Sequence, residues 1–260
     1  RLTKTKKNIL QKFPTNWEEE FDTASKLGYK YIEFFSERKL NLKNPIWNKS
    51  LILKYQFLAK KNNLKIYSFV DDFIINNDFS EIESLKYCKK LIKQLFLLKI
   101  KFLILPFYEK SKITKSNYQK YLSNLRKICE FAKLYKIKIL IESNLSPELY
   151  FKIKKIGNLK NFNIVIDTGN RINLKRDLYN DMLSFKKEIK HIHIKDKNKN
   201  LENVILGTGK VNFLKFFKLL KKINYSGNLT VECTRGDDHL KTAKKNIIFI
   251  NNYLKKNGFF

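Results

Sequence analysis

The chain has 260 residues, enough to bury a sizeable core in one large domain, and an α/β barrel needs about 250. Its formal net charge of +30 invites a nucleic-acid partner, but the lysines are spread along the whole chain and Arg is scarce. The richness in Lys, Asn and Ile reads as a bias toward A- and T-rich codons, so nucleic acid is not expected as the main partner, although a diffuse positive field would attract small anions.

No run of the roughly 18 apolar residues that a membrane span needs is present: the richest stretch, Leu91 to Phe107, is broken by Lys93, Lys99 and Lys101. No apolar segment follows the basic N-terminus as a signal peptide would require. Cys88, Cys129 and Cys233 are odd in number and far apart. A disulfide framework or cysteine zinc site is therefore not expected, and a cytoplasmic location is.

Amphipathic helices alternate with short apolar strands. Thr15-Asn-Trp-Glu18 reads as a capping box opening a helix that Gly28 closes, with a strand over Tyr29 to Phe35. Helices are then expected over Pro45 to Asn63, Ser80 to Leu98, Ser116 to Tyr135 and Pro147 to Ile156. Strands are expected over Leu64 to Val70, Lys101 to Phe107, Ile137 to Glu142 and Asn163 to Asp167. A helix over Asn173 to Lys187 and a strand over Ile189 to Ile194 follow. Phe213, Phe216, Phe217, Leu220 and Ile223 form one apolar face, giving a helix over Asn212 to Ile223. A strand over Asn228 to Cys233 and a helix over Asp238 to Lys256 complete the chain.

Continuously apolar strands fit a parallel sheet covered on both faces, and repeated βα units predict a single (β/α)8 barrel domain over residues 1–260. One strand is missing from the start, where Arg1 opens in a polar segment, so the first strand is expected to be absent from this chain. A doubly wound sheet is the alternative, but no Gly-rich fingerprint follows the first strand.

In such barrels chemistry sits at the C-terminal strand ends. Those ends carry, in order, Glu33, Asp71, Glu142, Asp167, His193 and Glu232. The last four have the donor types of a hard divalent cation and are each separated by about one βα repeat. Any one of them alone would more often be a solvated or salt-bridged surface group. His191 and His193 share a strand face, and His191 is expected to pack against the wall rather than bind metal.

These residues also carry a resemblance. Ile141-Glu142-Ser143, Asp167-Thr-Gly-Asn170, His193-Ile-Lys-Asp196, Gly207-Thr-Gly-Lys-Val-Asn-Phe213 and Val231-Glu232 are similar to the motif series of the xylose isomerase-like sugar phosphate isomerase/epimerase superfamily. Arg1-Leu-Thr resembles the tail of that family's first strand and its following loop. The resemblance implies that Glu142, Asp167, His193 and Glu232 bind one divalent metal, commonly Mn2+, with Mg2+, Co2+ or Zn2+ as alternatives. It also implies that Glu142 and Glu232 are the acid/base pair of a sugar or sugar-phosphate isomerase or epimerase. One carboxylate would remove a proton beside the carbonyl to give a cis-enediolate, and the return of a proton would complete isomerisation or epimerisation. A homo-oligomer is a further option.

Supporting residues are expected to be Asn170, Lys195, Arg235 and Glu33, on substrate oxygens, with a surface salt bridge the equal alternative for Arg235. Lys195 should alternate off the His193 face unless the strand ends there. Asp196 is expected to be a loop or capping residue. Gly207 and Gly209 should make a tight turn before a helix whose N-terminus could hold an anion. Trp17 and Trp47 should be packing residues and His239 should face solvent.

Two departures from the family pattern stand out: Asn170 where His is common, and Asn212 where Asp is common. The rival readings are an apurinic-site endonuclease-like DNA repair enzyme of the same fold and a non-catalytic sugar-binding barrel. The nuclease would need extra histidines for a multi-zinc cluster, and no histidine precedes His191.

Overall fold

A computed structural model of the chain describes residues 2–3, 12–174 and 176–259. They fall into two compact units, one within 3–163 and the other within 164–259, the latter including Leu2. The expected remnant of a first strand at Arg1-Leu-Thr falls partly on Arg1, outside the described residues; Thr3 donates from its N–H and hydroxyl to Glu20 Oε1 at 3.1 and 2.7 Å.

The first unit runs α1 (Glu19–Lys26), β1 (Tyr31–Ser36), α2 (Lys49–Lys61), β2 (Lys65–Asp71), α3 (Phe73–Asn76), α4 (Ile82–Leu97), β3 (Phe102–Pro106), α5 (Leu122–Leu134), β4 (Lys138–Glu142) and α6 (Pro147–Ile156). Strands β1 to β4 pair in chain order and in parallel. Every residue of β3 is buried, which is why its sequence is apolar without alternation. Asp71 and Glu142 are the last residues of their strands, so the regular βα rhythm delivers polar side chains at the same end of each.

The second unit opens within β5 (Phe162–Asp167) and continues with α7 (Thr168–Ile172), α8 (Leu178–Phe185), β6 (Ile189–Ile194), β7 (Asp196–Lys197), β8 (Asn203–Val204), α9 (Phe213–Lys222), β9 (Asn228–Val231) and α10 (His239–Lys256). Strands β5, β6 and β9 are parallel neighbours, and β7 and β8 form a short antiparallel hairpin. Phe213, Phe216, Phe217, Leu219 and Leu220 are the buried face of α9.

Most differences from the sequence expectations lie in the helices. No capping box forms at Thr15; Glu18 is the N-cap of α1 without a side-chain bond, and Gly28, at φ +90°, ends the helix as expected. The helix expected over Pro45 to Asn63 is split. Asn48 adopts an extended backbone between a 3-10 turn and α2, and its side chain accepts from the N–H groups of Ser50 and Leu51. The helix expected over Asn173 to Lys187 starts later, as α8 capped by Asp177, and a separate short helix that was not expected, α7, precedes that range directly after Asp167; Lys175, inside the range, lies outside the described residues. In both places an apolar periodicity ran across an Asn or Asp whose side chain competes for backbone donors. Ser116 to Tyr135 begins as a 3-10 turn at Tyr118 before α5 starts at Leu122. Among the described residues, no helix is long and apolar enough to cross a membrane.

Candidate functional site

The second unit gathers four of the expected site residues. Asp167 ends β5 and lies opposite His193 in the β5–β6 ladder, and His193 lies opposite Thr230 on β9. The Glu232 N–H donates to the Ile194 carbonyl at 3.0 Å, extending the β6–β9 ladder by one bond and fixing where Glu232 leaves the sheet. Three adjacent strands thus place Asp167, His193 and Glu232 at one end.

Lys195 joins them. Strand β6 ends at Ile194, so the alternation that would have turned Lys195 off the His193 face no longer applies. Its ammonium lies 2.8 Å from Asp167 Oδ2 and 2.8 Å from Glu232 Oε1. His193 Nδ1 lies 3.1 Å from Glu232 Oε2. Asp167, His193 and Lys195 are buried, whereas the Glu232 side chain is about half exposed. Desolvation pushes the Glu232 carboxyl up, but the Lys195 ammonium and the His193 imidazole outweigh it and hold it down at about 2.

The motif Asp167-Thr168-Gly169-Asn170 is the cradle of this arrangement. Asp167 caps α7, its Oδ1 accepting from the Asn170 N–H at 2.8 Å. The Thr168 hydroxyl donates to the Lys195 carbonyl at 2.6 Å and accepts from the Lys195 N–H at 2.9 Å. A Cβ at position 169 would meet Lys195 Cγ, Cβ and Cδ at 2.7–2.9 Å, so the lysine stem needs a glycine there.

Asp196 does more than occupy a loop. Fully buried, it accepts from the N–H groups of Gly207 and Gly209 at 3.0 and 2.8 Å through Oδ2, and of Lys197 and Val211 at 3.0 and 3.1 Å through Oδ1. The Gly-Thr-Gly turn therefore binds the protein's own carboxylate. The N-terminus of α9, which could have held an anion, is capped by Asn212, which accepts from the Lys215 N–H at 2.9 Å. His191 hydrogen-bonds the Thr230 hydroxyl through Nε2 at 2.9 Å, and its ring meets His193 edge-on.

The remaining expected residues are placed as follows. Asn170, half-buried on α7, stands two residues after Thr168, and Arg235, half-buried, lies in the segment between β9 and α10. Glu142 and Glu33 belong to the first unit. Glu142 is buried, with the Tyr108 hydroxyl donating to its Oε1 at 3.3 Å. Glu33 is half-buried on β1 and accepts from the Ser68 hydroxyl. Trp17 stacks on Tyr55, Trp47 meets Tyr87, and His239 is half-buried at the start of α10 rather than open to solvent. Sequence reasoning missed Thr168 and Tyr108. For Thr168 a signal existed, because a hydroxyl and a glycine directly after a strand-end carboxylate leave room for a long side chain from the next strand.

Asp167, Glu232 and His193 offer the donor types that a hard divalent cation takes, two carboxylates and an imidazole, and ligand atoms of His193 and Glu232 lie within 4.8 Å of each other.

Residues 21–253 match the profile of the family described as xylose isomerase-like TIM barrel. An uncharacterized protein of Methanocaldococcus jannaschii is 28% identical over 144 residues, which is 51% of this chain and 48% of that protein. The chain spans about half the length of the curated relatives it matches. Among solved structures, D-psicose 3-epimerase from Clostridium cellulolyticum H10 with D-tagatose aligns at a TM-score of 0.79 and 14% identity, covering 95% of this chain and 96% of that one. A xylose isomerase-like TIM barrel protein from Mycobacterium smegmatis in complex with magnesium aligns at 0.71 and 16% identity, covering 95% and 91%. These likenesses show the fold, an α/β barrel class as the strand and helix rhythm predicts. The chain belongs to the xylose isomerase-like TIM barrel family.

Proposed function

We propose that the chain is a divalent-metal-dependent sugar or sugar-phosphate isomerase or epimerase. The observation that carries this reading is the cluster of Asp167, His193, Lys195 and Glu232 at the ends of three neighbouring strands. The sugar named with the Clostridium enzyme and the magnesium named with the Mycobacterium protein support it. Asp167, His193 and Glu232 would hold the ion, with Glu142 as the fourth ligand that the family resemblance implies. When bound, the metal supplies Lewis-acid polarisation of the sugar carbonyl and its neighbouring hydroxyl.

Glu232 is ionised at neutral pH and accepts the proton beside the carbonyl. While Lys195 holds it, its basicity is low; a substrate oxygen that draws the ammonium away raises it. Glu142 acts as the second acid/base group that the family resemblance implies, and Asn170, Arg235 and Glu33 meet substrate oxygens. Proton return to the same carbon from the other face gives epimerisation, and return to the neighbouring carbon gives isomerisation.

The test is a panel of ketoses, aldoses and their phosphates in deuterated water with Mn2+. Deuterium should enter beside the carbonyl, and a chelator should stop it. Exchange that persists in Glu232→Gln and Glu142→Gln overturns the assigned roles; sugar binding without exchange marks a non-catalytic barrel.

A further inference from the structure

We propose that Lys195 is a tethered counter-cation of the Asp167–Glu232 pair, which holds these carboxylates together without metal and competes with a divalent ion for the same oxygens. This inference rests on the metal reading above.

Lys195 is anchored at three levels. Its backbone N–H and carbonyl are both bonded to the Thr168 hydroxyl, at 2.9 and 2.6 Å. Its stem lies where a Cβ of residue 169 would otherwise be, within 2.7–2.9 Å. Its ammonium is 2.8 Å from each carboxylate. A surface lysine drifting into a cleft would have the last of these contacts but not the first two. Three consecutive residues, Asp167, Thr168 and Gly169, each contribute one.

The carboxylate oxygens are also fully engaged by the protein. Asp167 Oδ1 accepts from the Asn170 N–H and Oδ2 faces Lys195; Glu232 Oε1 faces Lys195 and Oε2 faces His193. A divalent ion entering this donor set must take over Asp167 Oδ2 and Glu232 Oε1 from the ammonium, and two cations a few ångströms apart repel strongly in a partly buried site. The Lys195 side chain is only 7% exposed, so a displaced ammonium needs another acceptor. An oxygen-rich substrate provides one. Metal and substrate should therefore bind cooperatively, with Lys195 passing from the carboxylate pair to a substrate oxygen.

Calorimetric titration of the whole chain with Mn2+ tests this. Lys195→Met should bind Mn2+ tighter by about 10- to 100-fold than the unaltered chain. Gly169→Ala, which keeps the charge but pushes the lysine stem aside, should tighten binding in the same direction by less, and it carries the test if Lys195→Met does not fold. The metal-free melting temperature of Lys195→Met should fall, and its rise on adding Mn2+ should exceed that of the unaltered chain. Equal or weaker Mn2+ affinity in both variants, with the unaltered chain binding normally, overturns the counter-cation and leaves the metal reading standing. No Mn2+ uptake by any of the three overturns the metal reading, and the inference with it.

Discussion

Asp71 at the end of β2 and Glu232 just past β9 are both strand-end carboxylates, yet their surroundings are opposite in kind. Asp71 is fully buried and accepts from the Ser36 and Tyr87 hydroxyls and the Cys88 thiol, all neutral groups. Burial wins there, and the carboxyl is pushed up to about 6. Glu232 is half exposed and stands beside an ammonium and an imidazole, which outweigh its desolvation. The same contrast extends beyond these two residues, because the unit holding Glu232 also buries Arg171 against Asp181 at 2.8 Å. Position at a strand end brings a carboxylate to the place where barrels do chemistry; the charge beside it decides whether it stays ionised.

The largest effect expected from breaking this contrast is on turnover. Glu232→Gln should lower the rate of deuterium entry by about 10²–10⁴-fold, measured by mass spectrometry of the sugar, whereas Asp71→Asn should leave that rate within a few-fold. Comparable losses in both would erase the distinction. Next in size is Arg171→Met, which leaves Asp181 buried with the half-exposed Arg176 3.2 Å away. It should cost about 3–5 kcal/mol in urea unfolding, toward the lower figure because Arg176 remains.

The pH dependences should run in opposite directions. Asp71 binds its proton more tightly folded than unfolded, so its contribution is fully present below about 4 and is lost as pH rises through about 6. The two-unit difference is worth at most about 3 kcal/mol. The stability gap between the unaltered chain and Asp71→Asn should therefore shift in favour of the variant between pH 4 and 7, and an unchanging gap would remove the raised carboxyl. Glu232 behaves the other way: its contribution is present above 4.5 and is lost as pH falls toward 2, visible as a convergence of the unaltered chain and Glu232→Gln in acid unfolding. The smallest effect belongs to a position away from both carboxylates. Gly28→Ala, at φ +90°, should cost about 1 kcal/mol and leave both pH profiles in place.

Much of this was legible in the primary structure. The apolar runs that became β3, β5 and β6 could be read because strands buried on both faces leave no alternation to misjudge, and α6 was bounded correctly because Ser146 and Pro147 mark its start chemically. The polar residues at the strand ends set Glu142, Asp167, His193 and Glu232 together in the sequence, and three of them, Asp167, His193 and Glu232, lie at one end of β5, β6 and β9. Helix boundaries at Asn48 and Asp177 were hidden, because apolar periodicity does not record which polar side chain will turn back onto the backbone.

Composition, periodicity and motif order thus determined the fold class and the identities of the strand-end residues, since both depend on local patterns that repeat with each βα unit. Only the tertiary structure decided what those residues touch. That Thr168 clamps the Lys195 backbone, that Gly169 makes room for its stem, and that Asp196 binds the Gly207–Gly209 turn are facts of packing between residues 11 to 27 positions apart. Such contacts depend on where β6 stops and which way the chain leaves it, and a one-dimensional pattern does not encode that direction.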